Sequence, residues 1–255
     1  MSKHDSTKRF SDRAEDYAKY RPHYPNEIVS WLVSAYNLSP TSTIADIGAG
    51  TGISSELFLN YGYAVTAVEP NQEMRNVAID QLKSFEKFQA IAGTAEQTSL
   101  EDSSVDLIVS AQAFHWFDAA IVRPEFERIL TPNGLVALIW NERLTETAFE
   151  KAYEQHILDY ASDYVQINHR NIGYQHIQNF FAPYACEMKV FSNQQVLDYE
   201  SLRGRHLSSS YIPQVGSPGY ESMIADLQKL FLEHKEGDFV KIHYATKVYV
   251  CIIGS

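Results

Sequence analysis

No apolar run in this sequence approaches the ~18 residues that a membrane-spanning helix needs. The first 25 residues are charged and carry no apolar stretch of leader type, so no secretory signal and no membrane partner are expected. Cysteine is scarce. Cys186 and Cys251 are the only two, they lie far apart, and no Cys-x-x-Cys occurs, so neither a disulfide framework nor a zinc ribbon is expected. Both are read as reduced thiols in the core, which places the chain in the cytoplasm. The nine histidines show no metal-ligand spacing, so no metal is expected. Positive charge is also in deficit: 21 Lys+Arg stand against 32 Asp+Glu, for a formal net charge of −11. Such a surface repels phosphate backbones and speaks against nucleic acid as a partner. There is no internal repeat or low-complexity tract, and no heptad pattern that would indicate how the chain self-associates.

What is present is an ordinary globular composition, 45% hydrophobic and 21% charged over 255 residues, enough for one large core. An aromatic, polar arm (Phe10, Tyr17, Tyr20, Arg21, Tyr24) opens the chain, and Pro22 and Pro25 end any helix begun near Ser11. Apolar residues at Ile28, Val29, Leu32, Val33 and Tyr36 predict a helix. Short apolar runs then alternate with helical patterns. Strands are expected at 42–47, 64–68, 88–92, 105–110 and 134–140, with helices between, including one from Asn71 to Phe85 and one from Asp118 to Leu130. Almost continuous apolar strands separated by helices mean a parallel α/β sheet, doubly wound and covered on both faces. Further on, a helix is expected over 146–164, a strand over 188–199, a helix over 220–234 and a long strand over 241–253. The stretch 201–219 is read as a cover over a cleft.

The turn Gly48-Ala49-Gly50-Thr51-Gly52 joins the first strand to a helix, at the carboxyl edge where ligands of such sheets bind. Glycine lets the backbone turn tightly and approach a ligand closely. Glu69 ends the next strand, where a carboxylate can accept hydrogen bonds from two vicinal ribose hydroxyls. A dinucleotide site wants G-x-G-x-x-G, and here the third glycine comes one residue early. Asp46, just before the glycines, is unwelcome to a pyrophosphate but suits a ligand carrying an ammonium and a sulfonium.

The run Ile44-Ala45-Asp46-Ile47-Gly48-Ala49-Gly50-Thr51-Gly52, followed by Val68-Glu69-Pro70, resembles the first two motifs of class I S-adenosylmethionine-dependent methyltransferases. Gly93-Thr94-Ala95-Glu96 resembles their third motif. The run Val105 to Trp116, ending Ala111-Gln112-Ala113-Phe114-His115-Trp116, is similar to their fourth, and Arg128 to Leu135 to the approach to the fifth strand. The arm Tyr17 to Pro25 and the Ala-Phe-His-Trp run look like the trans-aconitate methyltransferase-like branch. The resemblance implies a Rossmann-like, mostly parallel seven-stranded sheet with its last strand antiparallel and helical additions over the carboxyl edge. It implies a single domain over 1–255: an arm and helix (1–40) covering the cofactor, a cofactor-binding core (41–140), and substrate-cap helices with the last two strands (141–255).

Carried onto this sequence, the resemblance implies that Gly48, Ala49, Gly50 and Gly52 line the methionine part of S-adenosylmethionine and Glu69 its ribose. Pro70 or Met74 would pack on the adenine, with Ala95 and Glu96 at its edge. Ala111 and Gln112 would flank the carboxypropyl chain and sulfur, and Tyr17 would cover the cofactor. Tyr17, Tyr20, Trp116 and Phe117 are the candidate aromatic walls for a sulfonium. His115 is the candidate general base, or else a hydrogen-bonded wall of the pocket. Arg21, Arg203 and Arg205 are candidates to hold a small-molecule acceptor with a carboxylate, although 203 and 205 read more simply as surface residues. Two other readings compete: a cofactor-binding module without turnover, and a nicotinamide-dependent oxidoreductase, which needs the glycine spacing that is absent.

Overall fold

The structure, a computed structural model, describes residues 14–161 and 173–253. Phe10, the expected helix start near Ser11 and the far end of the expected 146–164 helix lie outside the described residues.

Seven strands make one sheet: β1 (Thr43–Ile47), β2 (Ala64–Val68), β3 (Phe88–Ile91), β4 (Val105–Ala111), β5 (Leu130–Arg143), β6 (Cys186–Leu197) and β7 (Val240–Ile253). Their order is β3-β2-β1-β4-β5-β7-β6. Strands β1 to β5 pair in parallel, and β7 runs antiparallel between β5 and β6. This is the expected doubly wound sheet with its last strand reversed. The strand order turns back between β1 and β4, which opens a crevice at the carboxyl ends of those two strands.

Strand alternation sorts the core into two layers. Ile44, Leu107 and Val109 face one side, where they pack with Leu32 of α2 (Glu27–Tyr36) and Phe58 of α3 (Ile53–Leu59). Ala45, Ile47 and Ile108 face the other, with Phe126 and Ile129 of α5 (Ala119–Ile129) and Phe181 of α7 (Tyr174–Phe181). Between them in sequence lies α4 (Gln72–Leu82), whose first turn is closed by the Asn71 side chain accepting from the Met74 N–H at 2.9 Å. A third cluster builds a cap from α6 (Ala148–Tyr160), α8 (Tyr199–Leu207) and α9 (Tyr220–His234), where Tyr153, Ile157, Leu202, Leu227 and Phe231 meet Tyr244 of β7. The short α1 (Ala14–Tyr20) lies against α8, with the ring of Tyr20 seated over Gly204.

Glu150 ties the cap to the sheet. It is 3% exposed, and its carboxylate accepts from the N–H groups of Glu146 (3.0 Å), Thr147 (2.9 Å) and His243 (2.9 Å), with the His243 ring at 2.8 Å. Burial pushes its pKa up, but these donors outweigh burial and hold it down at about 2. A depressed carboxylate pKa adds stability above the unfolded-state value, and that stability is lost as pH falls through about 2. Glu150→Gln is therefore expected to lower unfolding stability by about 3 kcal/mol near neutral pH. In urea titrations the two proteins should converge towards pH 2. A difference that stays constant with pH would contradict the assignment.

Three sequence expectations need correction. The sixth strand runs 186–197 rather than 188–199, because Asp198 leaves the sheet to cap α8 by accepting from the Ser201 N–H at 2.8 Å. Helices α7 and α8 were not expected; α8 (YESLRGRHL) has no apolar stripe to mark it. Cys186 and Cys251 are not reduced thiols but form a disulfide. They stand opposite one another in the β6–β7 register, with Cα atoms 4.3 Å apart, although 65 positions separate them in the chain. With both sulfurs bonded, the cysteine argument for a cytoplasmic setting falls. Among the described residues, no helix is long and apolar enough to cross a membrane.

Candidate functional site

The turn after β1 is drawn in by its neighbours. The Gly48 N–H donates to the Val68 carbonyl at 2.9 Å, so the loop closes over the end of β2. Gly48 has φ +71°, and a Cβ there would stand 2.6 Å from the Cβ of Ala113. Glycine is required at that position by both conformation and space. The Gly50 N–H donates to one oxygen of Glu69 (2.9 Å) and the Asn71 N–H to the other (2.8 Å). Glu69 is buried, and burial raises its pKa while the Asn71 and Gly50 N–H groups pull it back. A carboxylate has about four lone-pair positions. Two of Glu69's are engaged by backbone, which fixes the group and leaves the others for a ligand.

Glu69 opens into a cavity of about 440 Å³ at the carboxyl edge of the sheet. Gly48, Ala49 and Gly50 form one wall, with Pro70 and Met74 from the start of α4. Ala95 and Glu96 line the side beyond β3, where Glu96 accepts from the Asp118 N–H at 2.9 Å. Ala111 and Gln112 end β4, and Gln112 sits at φ +58°, an uncommon conformation for a residue with a side chain. A 3-10 turn, Phe114–Trp116, follows and brings His115, Trp116 and then Phe117 to the cavity; the His115 and Trp116 rings lie 4.7 Å apart. Tyr17 of α1 and Arg21, just after it, line it too, with the Arg21 guanidinium 4.8 Å from the centre of the Tyr17 ring.

Two expected ligand residues do not line this cavity. Asp46 points to the α3 face of the sheet, as alternation from Ile44 demands, and accepts from the hydroxyls of Ser54 and Ser55 at 2.7 Å each. Burial pushes its pKa up to about 6 against those hydrogen bonds. Gly52 (φ +86°) faces α4 instead, and a Cβ there would stand 2.7 Å from Leu82 and 3.3 Å from Ala78. It is a packing glycine between two helices. Tyr20 is not in the lining either, since its ring packs on Gly204.

The inner end of the cavity was less legible. Of the candidate arginines, Arg203 stays outside, pairing with Glu200 and donating to the Tyr220 hydroxyl. Arg205, one residue-pair along α8, is 5% exposed and lines the cavity. Tyr24, Asn141, Arg143, Ser210, Tyr211 and Tyr244 line it too, and sequence reasoning singled out only Tyr24 among them, as part of the arm. Arg143 forms an ion pair with Glu154. The 201–219 stretch does cover a cleft, through Arg205, Ser210 and Tyr211.

Residues 45–138, which include every glycine-loop and β4 contact, match a family model described as a methyltransferase domain. An uncharacterized methyltransferase of Mycobacterium tuberculosis is 38% identical over 142 residues, 56% of each chain. An uncharacterized methyltransferase of Schizosaccharomyces pombe is 38% identical over 135 residues, 52% of this chain and 53% of its own. The chain thus spans about half the length of the curated relatives it matches. Solved structures share the fold. One from Anaeromyxobacter dehalogenans, provisionally assigned as a type II methyltransferase, superposes with a TM-score of 0.70 over 92% of this chain and 99% of that one, at 18% identity. A Haemonchus contortus phosphoethanolamine N-methyltransferase, solved with S-adenosyl-L-methionine, gives 0.55 over 98% of this chain and 57% of that one, at 13% identity.

Proposed function

We propose that this chain is an S-adenosylmethionine-dependent methyltransferase whose acceptor is a small molecule, with a carboxylate as the acceptor group. The observation that carries the reading is Glu69: a buried carboxylate, fixed by two backbone N–H groups, beside a glycine turn within the stretch that matches a methyltransferase-domain model. The residues present fit the cofactor. Glu69 would hold the ribose, Pro70 and Met74 the adenine face, and Gly48 to Gly50 the amino-acid part, where a side chain at 48 has no room. S-adenosylmethionine supplies, when bound, a methyl group already activated on a sulfonium.

The chain's own contribution is then alignment and exclusion of water. Holding acceptor and donor in line is worth ~7–11 kcal/mol in well-oriented systems. Tyr17, Trp116 and Phe117 line the cavity, and aromatic ring faces attract a cation by ~0.5–2 kcal/mol. Tyr17 of α1 and the adjoining Arg21 would cover the bound cofactor. An ionised carboxylate needs no base, so His115 shapes the wall beside Trp116 for such an acceptor, and would take a proton only from a protonated one.

Calorimetric titration with S-adenosylhomocysteine should give saturable heat. Homocysteine release, read through a coupled hydrolase over a panel of carboxylic acids, phenols and amines, should then respond to the acids. Absence of both heat and thermal shift at millimolar ligand would remove the reading; binding without turnover on any acceptor would leave a cofactor-binding module instead.

A further inference from the structure

Arg21 and Arg205 come together from distant stretches of the chain in the lining of the cavity. The Arg21 Nη2 donates to the Ser208 carbonyl (3.0 Å) and the Ser209 hydroxyl (3.3 Å), and the Arg205 Nη1 donates to the same hydroxyl (3.4 Å). Two guanidiniums thus share one serine. The Nε of each is buried without a hydrogen-bond partner. Among the described residues no carboxylate pairs with either, although the chain holds 32 acidic residues. The groups that face the pair are the Tyr17, Tyr153, Tyr211 and Tyr244 rings and hydroxyls. Burial lowers the Arg21 pKa, and the charge of Arg205 beside it lowers it further.

A buried cation without a counter-ion is costly, and two adjacent ones repel as well. Arg143, on the same wall, shows the usual remedy in its pairing with Glu154. S-adenosylmethionine does not neutralise the other two: its one carboxylate is outweighed by its ammonium and sulfonium, so it brings net positive charge. We propose that Arg21 and Arg205 form a receptor for an oxyanion of the acceptor, so that the substrate is a small organic acid rather than a phenol or an amine. The proposal rests on the methyltransferase reading for the word acceptor, but the anion receptor itself does not. It lies outside the residues 45–138 that the family model matches, just after α1 and on α8. The planar guanidinium fork suits carboxylate and phosphate oxygens alike.

The test is calorimetry on the full chain saturated with S-adenosylhomocysteine. The probes are succinate, tricarballylate, inorganic phosphate and the neutral succinamide, and the variants Arg205→Met and Arg205→Lys. An acid should bind saturably and succinamide at least about tenfold more weakly. Arg205→Met should lose at least about tenfold in acid affinity while S-adenosylhomocysteine affinity stays unchanged, and Arg205→Lys should recover part of the loss. Phosphate binding more tightly than the carboxylates would keep the receptor and assign a phosphorylated acid. Equal binding of acid and amide, no saturable binding of any anion, or an unchanged acid affinity in Arg205→Met would overturn the proposal. Should Arg205→Met fail to fold, the acid-against-amide comparison on the unaltered chain decides alone. Failure of S-adenosylhomocysteine itself to bind would strike the methyltransferase reading; the same anion series on the ligand-free chain, read by thermal shift, would still judge the receptor.

Discussion

Glu69→Ala is expected to weaken S-adenosylhomocysteine binding by about 100-fold or more in a protein that still folds. Hydrogen bonds to a charged group contribute about 1.5–3 kcal/mol each, so losing two to the ribose accounts for a change of that size. The loss is compounded locally. The Gly50 and Asn71 N–H groups give up their acceptor, which frees the glycine turn and the start of α4 together. Glu69→Gln separates the two effects, because an amide oxygen can still accept from one N–H but the second position becomes a donor. Its affinity should fall between the native protein and the alanine variant. Circular dichroism would confirm the fold and calorimetry would read the affinity. Binding unchanged in a folded Glu69→Ala protein would remove the central carboxylate from the site.

Gly204→Ala is expected to lift the cover. A Cβ there would lie 2.2 to 2.6 Å from three atoms of the Tyr20 ring, far inside van der Waals contact. The ring is seated between α1 and α8, so relief requires α1 to move rather than a side chain to swing. Overpacking of this kind costs about 1–3 kcal/mol, which exceeds what a seven-residue helix gains from its own hydrogen bonds. Tyr17 and Arg21 would leave the cavity with it. Tryptic cleavage after Lys19 should accelerate by about tenfold or more, and S-adenosylhomocysteine affinity should drop with it. Gly173→Ala is the comparison: nothing lies within 4 Å of a Cβ there, and neither readout should change. Equal cleavage of the Gly204→Ala protein and the native one would show that α1 is not held at Gly204.

The glycine-turn end of the cavity was legible in the sequence because backbone makes it. Glycines at 48 and 50 and a strand-ending acid at 69 have few other uses in that order, and the α/β alternation fixes their place at the carboxyl edge. Asp46 and Gly52 were misjudged because closeness in sequence was taken for closeness in space. Strand alternation sends Asp46 to Ser54 and Ser55, and the helix turn sends Gly52 to Leu82. The acceptor end was not legible. Arg205 sits in a polar nine-residue helix that reads as surface, and only the packing of α6, α9 and α1 around α8 buries it. The cysteines failed for the same reason: their partnership is set by a twelve-residue antiparallel register that no spacing rule contains.

The two ends of the cavity are drawn from separate stretches of chain. The glycine-turn side belongs to residues 45–138, and the arginines stand at 21, 143 and 205. On the proposed function, inherited change in the flanking stretches would alter which acceptor is held while residues 45–138 are left intact. Paralogues of this architecture should differ in diet long before they differ in fuel.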